Sequence, residues 1–155
     1  MEQTASESLD SIIPMPGHPP VAETGYSAGD QSEDHFIRRD GVEFAGSHLI
    51  LDLWEARHLD DLQRMDRALR EAVEVCGATL LHLHLHHFTP SGGISGVAVL
   101  AESHISVHTW PERDFAAFDI FMCGDAWPEM AIPVLKQTFS PRRMEVRDLM
   151  RGVVR

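Results

Sequence analysis

Apolar residues fall into two periods along this chain, and the change of period separates strands from helices. Residues 48–53 (HLILDL) form a short Leu- and Ile-rich run after Gly46 and Ser47, the mark of a buried strand. Over residues 58–76 the spacing becomes three and four. Leu62, Met65, Leu69, Ala72 and Val73 share one face, which predicts an amphipathic helix capped by Asp60 or Asp61 and stopped at Gly77. Residues 79–88 (TLLHLHLHHF) alternate, with Leu81, Leu83 and Leu85 on one strand face and His82, His84 and His86 on the other. Residues 89–93 (TPSGG) are a turn whose glycines allow positive φ and close backbone approach. Strands are predicted over 94–101, 105–109 and 115–123, with a loop at 111–114. A helix begins near Trp127, with Asp125 as its cap and Pro128 in its first turn, and Pro133 kinks or shortens it. A last strand spans 142–147, and residues 151–155 either lie along the sheet or fray.

This order, β-α-β-β-β-β-α-β, contains no run of alternating strand and helix long enough for a doubly wound fold. It predicts an α+β two-layer sandwich, a mainly antiparallel sheet with helices on one face. No internal repeat is visible. Residues 1–45 differ from the rest, with nine acids against two bases, Pro14, Pro16, Pro19 and Pro20, and little periodicity. Such a segment buries too little surface to offset the entropy of ordering it, so a disordered acidic tail is expected before a domain over 46–155.

Composition narrows the classes. A chain of 155 residues, 43% hydrophobic and 24% charged, suits one globular domain. A net charge of -11 argues against a nucleic-acid partner, whose phosphates are bound through Lys and Arg, and is compatible with a cationic small substrate. Two cysteines, Cys76 and Cys123, are too few for a secreted disulfide framework and are expected to be free thiols. No apolar run approaches the roughly 18 to 20 residues of a membrane span, and the start, MEQTASESLD, lacks a signal peptide's basic and apolar regions. A cytoplasmic protein without a membrane partner is expected.

Candidate chemistry concentrates in residues 95–124 (SGVAVLAESHISVHTWPERDFAAFDIFMCG). Ser103 lies between Glu102 and His104, with His108 nearby. A hydrolase nucleophile is disfavoured because the G-x-S-x-G elbow is missing, and because a five-residue spacing puts His108 on the opposite strand face from Ser103 unless the strand bends. Trp110 and Glu112 offer a flat ring and a carboxylate suited to a base and a ribose diol, although spacing by itself favours a core aromatic and a solvated turn residue. His82, His84 and His86 could bind a metal or form the polar face of a strand, and no acid or cysteine at ligand spacing helps the metal reading.

The runs GVAVLAESHISVHTWPE and FAAFDIFMCG, with HLILDL, HHFTPSGGISG and Arg151-Gly152, resemble the bacterial S-adenosylmethionine decarboxylase proenzymes over roughly residues 46–152. The resemblance implies self-cleavage between Glu102 and Ser103 into a β chain, 1–102, and an α chain, 103–155. Ser103 becomes a covalent pyruvoyl cofactor, which forms a Schiff base with S-adenosylmethionine and acts as the electron sink for decarboxylation, a step toward spermidine. It further implies that His108 is the proton acceptor in processing, that Ser95, in a turn, assists it, and that Cys123 is the catalytic proton donor. A thiol is mostly protonated near neutral pH and can donate. Phe88 and Trp110 match the rings that sandwich adenine, and Glu112 the carboxylate that holds the ribose. The family protomers pair into at least a dimer with active sites at the interface, where Phe88 can serve the partner. Pro90-Ser91-Gly92-Gly93 is a residue longer than the shortest family versions, and Arg113-Asp114 puts charge where many members carry a neutral pair. Both bear on substrate choice. The alternatives are a pyruvoyl-dependent arginine or ornithine decarboxylase and a non-catalytic regulatory subunit. Retention of the aromatic pair and Glu112 speaks against the first, and retention of Ser103, His108 and Cys123 against the second.

Overall fold

The computed structural model describes residues 35–155 apart from Glu102. Its elements are β1 (Ile37–Arg39), β2 (Val42–Phe44), β3 (Gly46–Trp54), α1 (Leu62–Val75), β4 (Leu80–His87), β5 (Ile94–Leu100), β6 (Ser103–Trp110), β7 (Phe115–Met122), α2 (Ala131–Phe139) and β8 (Arg143–Arg151). β1 and β2 pair as a hairpin, while the other six strands form one sheet in the order β4-β5-β6-β7-β3-β8. Every pairing is antiparallel. Alternation decides the two faces. Leu49, Leu51 and Leu53 of β3, Ile105 and Val107 of β6, and Ala116, Phe118, Ile120 and Met122 of β7 point to the helices and join one core. There they meet Met65, Leu69, Ala72 and Val73 of α1 and Leu135 and Phe139 of α2. This is the expected two-layer α+β architecture, and among the described residues no helix covers the other sheet face.

Local chemistry sets the boundaries of α1. Asp61 caps it, its carboxylate accepting the Arg64 backbone N–H at 2.9 Å, and this bond, with the Arg64 guanidinium, holds its pKa below the usual carboxylate value. The helix therefore starts at Leu62 rather than at residue 58, where His58 has φ +60°. Leu62, expected on the buried face, is exposed in the first turn, and Leu59 is buried instead. Gly77, at φ +71°, stops the helix as expected.

Several other expectations are corrected. A bulge between Leu80 and His82 resets the phase of β4, so Leu80, Leu83 and Leu85 pack on the core while Leu81 is 60% exposed. Asp125 caps no helix. Trp127 precedes a single 3-10 turn, Pro128–Met130, and α2 begins only at Ala131. Pro133 is thus the third residue of α2, where an N–H has no partner within the helix, and it requires no kink. The last strand runs four residues beyond its expected end, because β8 pairs along the whole of β3. The chain end continues along the hairpin, with the Val154 N–H donating to the Glu43 carbonyl at 2.8 Å. Within the expected disordered tail, residues 37–44 form the β1–β2 hairpin. Burial of Ile37 and Phe44 orders it, to 7% and 1% exposure, a contribution that the polar composition around them hides. The remainder of that expectation, over residues 1–34, lies outside the described residues.

Candidate active site

The continuity of β6 decides how three of the predicted residues relate. Ser103 opens the strand opposite Leu100, in phase with the helix-facing Ile105 and Val107, while His104, Ser106, His108 and Trp110 take the open face. No bend intervenes. Five residues of unbroken strand, at about 3.3 Å each, put Ser103 and His108 about 16 Å apart and on opposite faces. One protomer therefore does not bring them together.

Ser103 instead shares a cavity of about 180 Å³ with Cys123. Cys123 follows directly on β7, and Gly124, at φ +63°, turns the chain away so that the thiol stays beside the start of β6. Thr79 and Ala101 close the cavity from the neighbouring strand ends, the Ala101 N–H donating to the Thr79 carbonyl at 3.0 Å, and His35 and Asp125 complete its rim. Glu102, on the other side of the expected scissile bond, lies outside the described residues. A serine at a strand start with a half-buried thiol in the same cavity is a donor set that fits a carbonyl group made from that serine.

The second cluster stands toward the other end of the sheet. Ser95 is the second residue of β5, not part of a turn as expected, because Ile94 is anchored in the core and pairing with β6 begins at Ser95. Its Oγ lies 2.8 Å from Nδ1 of His108, its cross-strand partner. His108 stands 6.2 Å from the ring of Trp110, which stacks on Phe115 at 5.4 Å. Trp110 is 41% exposed, so it is not the core aromatic that spacing favoured. Phe88 is also exposed and meets His86 edge-on at 4.5 Å. Gly93 lets the turn after Phe88 approach the Pro111–Arg113 turn that carries Glu112, since a Cβ there would stand only 3.0 Å from the Thr109 carbonyl. Phe88, Ser95, His108, Trp110 and Glu112 thus border one end of the sheet, and Ser103 and Cys123 the other.

His82, His84 and His86 face the open side opposite Val99, Val97 and Ser95. Among the described residues no group of three or more His, Cys, Asp or Glu is placed to hold a metal ion. A polar network in the middle of this face was not anticipated. His48 lies 3.2 Å from Asp119, which also accepts from Ser106 at 3.4 Å, and Arg151 reaches the other nitrogen of His48 at 3.2 Å. Alternation marks each residue as outward-facing, but only the pairing of β7 with β6 and β3, and of β3 with β8, brings them together.

Fold and site define a two-layer α+β protein with Ser103 and His108 toward opposite ends of one strand of an antiparallel sheet and Cys123 just past the end of the neighbouring strand. The family model described as S-adenosylmethionine decarboxylase matches residues 47–152. The S-adenosylmethionine decarboxylase proenzyme of Thermomicrobium roseum is 47% identical over 110 residues, covering 70% of this chain and 95% of that protein. That of Methanococcus vannielii is 49% identical over 112 residues, 70% of this chain and 91% of the relative. The crystal structure of the adenosylmethionine decarboxylase from Aquifex aeolicus VF5 superposes with a TM-score of 0.64 at 30% identity, covering 71% of this chain and 92% of that one. This chain belongs to the S-adenosylmethionine decarboxylase family. No helix among the described residues is long and apolar enough to cross a membrane.

Proposed function

We propose that this chain decarboxylates S-adenosylmethionine with a pyruvoyl group made from its own Ser103. The observation that carries the reading is the cavity shared by Ser103 and Cys123, within a chain whose relatives are named as proenzymes of this activity. In processing, Ser103 Oγ attacks the Glu102 carbonyl carbon, and the peptide C–N bond gives way to an ester. Removal of the Ser103 α-proton expels the Glu102 carboxylate, and addition of water releases ammonia. Once formed, the pyruvoyl group supplies the electron sink for loss of CO2. Cys123 holds a proton at Sγ and delivers it to the substrate α-carbon. Trp110 and Phe88 offer exposed ring faces to adenine, and Glu112 an exposed carboxylate to the ribose hydroxyls.

His108 stands too far from its own Ser103 to take the α-proton. In a dimer that pairs open sheet faces about a two-fold axis, residue i of one copy meets j of the other and j meets i, so each Ser103 end can meet the partner's His108 end. The open face suits such pairing, with Ile50, Trp54, Val97, Val99, Phe115 and Phe121 on the outward strand positions. Ser95 then orients the imidazole that works on the neighbouring copy.

Intact mass spectrometry of the purified protein tests the reading. Species corresponding to residues 1–102 and 103–155, the second with a blocked start, are expected, together with CO2 release from S-adenosylmethionine. Ser103→Ala stays uncut. A wild-type chain that never splits overturns the proposal.

A further inference from the structure

The stretch from His35 through the β1–β2 hairpin precedes the residues that the family model matches, yet its first residue forms part of the wall of the Ser103–Cys123 cavity. His35, at its start, lines that cavity. The His35 carbonyl accepts the Gly124 N–H at 2.8 Å, and its ring sits so close that a Cβ on Gly124 would lie 3.5 Å from Nδ1. Further along, Arg39 places its guanidinium 4.8 Å over the ring of Trp127 while bonding Glu129 Oε1 at 3.0 Å. Glu129 Oε2 is buried with no hydrogen-bond partner among the described residues, so the Arg39 guanidinium at Oε1 is the charge that compensates this carboxylate. The segment from Gly124 to Trp127, which leads away from the thiol, is thereby held at one end by His35, just before the hairpin, and at the other by Arg39 of β1. The hairpin is itself anchored by buried Ile37 and Phe44 and by the chain end at Val154. A hairpin that merely extended the sheet edge would need only the last of these contacts.

We propose that this hairpin is a positioning element for Cys123: His35 supplies one wall of the cavity in which the thiol meets the reacting carbon, and Arg39 clamps the segment that follows it. The role of Cys123 rests on the function proposed above. The test separates the two claims. In the Ser103→Ala protein, which makes no pyruvoyl group, iodoacetamide labelling of Cys123 is followed by mass spectrometry, with buried Cys76 as the internal control for folding. His35→Ala and Arg39→Ala are compared with that parent. His35 is exposed and Arg39 half-exposed, so neither change removes core. Opening the wall or freeing the clamp is expected to raise the Cys123 labelling rate at least about threefold while Cys76 stays unlabelled. In the processed enzyme the same substitutions are expected to lower kcat about tenfold with KM within about twofold, because a displaced donor slows proton delivery without touching the nucleoside contacts. Labelling rates unchanged in both variants, or an unchanged kcat despite faster labelling, overturn the proposal. Failure of the wild type to split or to release CO2 counts against the proposed function instead, and leaves the labelling comparison decisive for the hairpin.

Discussion

Two thiols of one sequence are given different chemistry by their surroundings. Cys76 is 1% exposed, and its Sγ lies 3.8 Å from the Pro128 carbonyl. Burial pushes its pKa up to about 11 from an ordinary 9.0, with the charge of Glu129 adding to the rise and a backbone hydrogen bond at Ala131 opposing it. A folded-state pKa raised in this way stabilises the protein below the ordinary value, and the contribution is lost as pH climbs toward 11. The stability advantage of wild type over Cys76→Ala should therefore shrink between pH 9 and 11, by about 1.4 kcal/mol per unit, in denaturant unfolding measured across that range. A constant difference would contradict the burial argument. Cys123, half-buried at a cavity, is the thiol available for chemistry. The motif around it was legible in the sequence, but the contrast with Cys76 was not, since burial depends on what α1 and the Pro128–Met130 turn pack against.

At the scale of the element, close strand approach is set by single small residues. Gly96 of β5 lies between Leu85 of β4 and Val107 of β6. A Cβ there would collide with the Leu85 side chain and stand 2.5 Å from the His84 carbonyl oxygen. Gly96→Ala is expected to push the edge strand β4 outward and cost about 1–3 kcal/mol, read as a lower unfolding midpoint in urea. An unchanged midpoint would show that β4 can shift freely. The sequence pattern located all six strands of the main sheet and, through three-to-four spacing, α1, because each periodicity reflects one face meeting the core, and turn residues announced a second helix before α2 without fixing its start. The β4 bulge, the late start of α2 and the β1–β2 hairpin escaped this reading. A bulge inverts phase without changing composition, and the hairpin's two buried residues stand among charged neighbours.

At the scale of the molecule, the proposed pairing of two copies through the open sheet face carries its own test. A charge placed at the middle of that face, Ile50→Glu, is expected to shift the sedimenting mass from that of two chains toward one and to abolish self-cleavage together. Co-expressing His108→Ala with Cys123→Ala should restore turnover in mixed dimers, because one of the two shared sites then keeps both groups. Separation of the copies without loss of cleavage would refute the shared site. Taken alone, the sequence determined the fold class and the order of the main-sheet strands and the two helices, since periodicity and turn chemistry are properties of short segments, while the roles expected of Ser103, His108 and Cys123 came from the family resemblance. Only the tertiary structure decided that unbroken β6 sends Ser103 and His108 to opposite faces, that Ser103 shares its cavity with Cys123, and that His35 lines it. Those relations depend on strand register and on contacts between segments far apart in the chain, which no local pattern encodes.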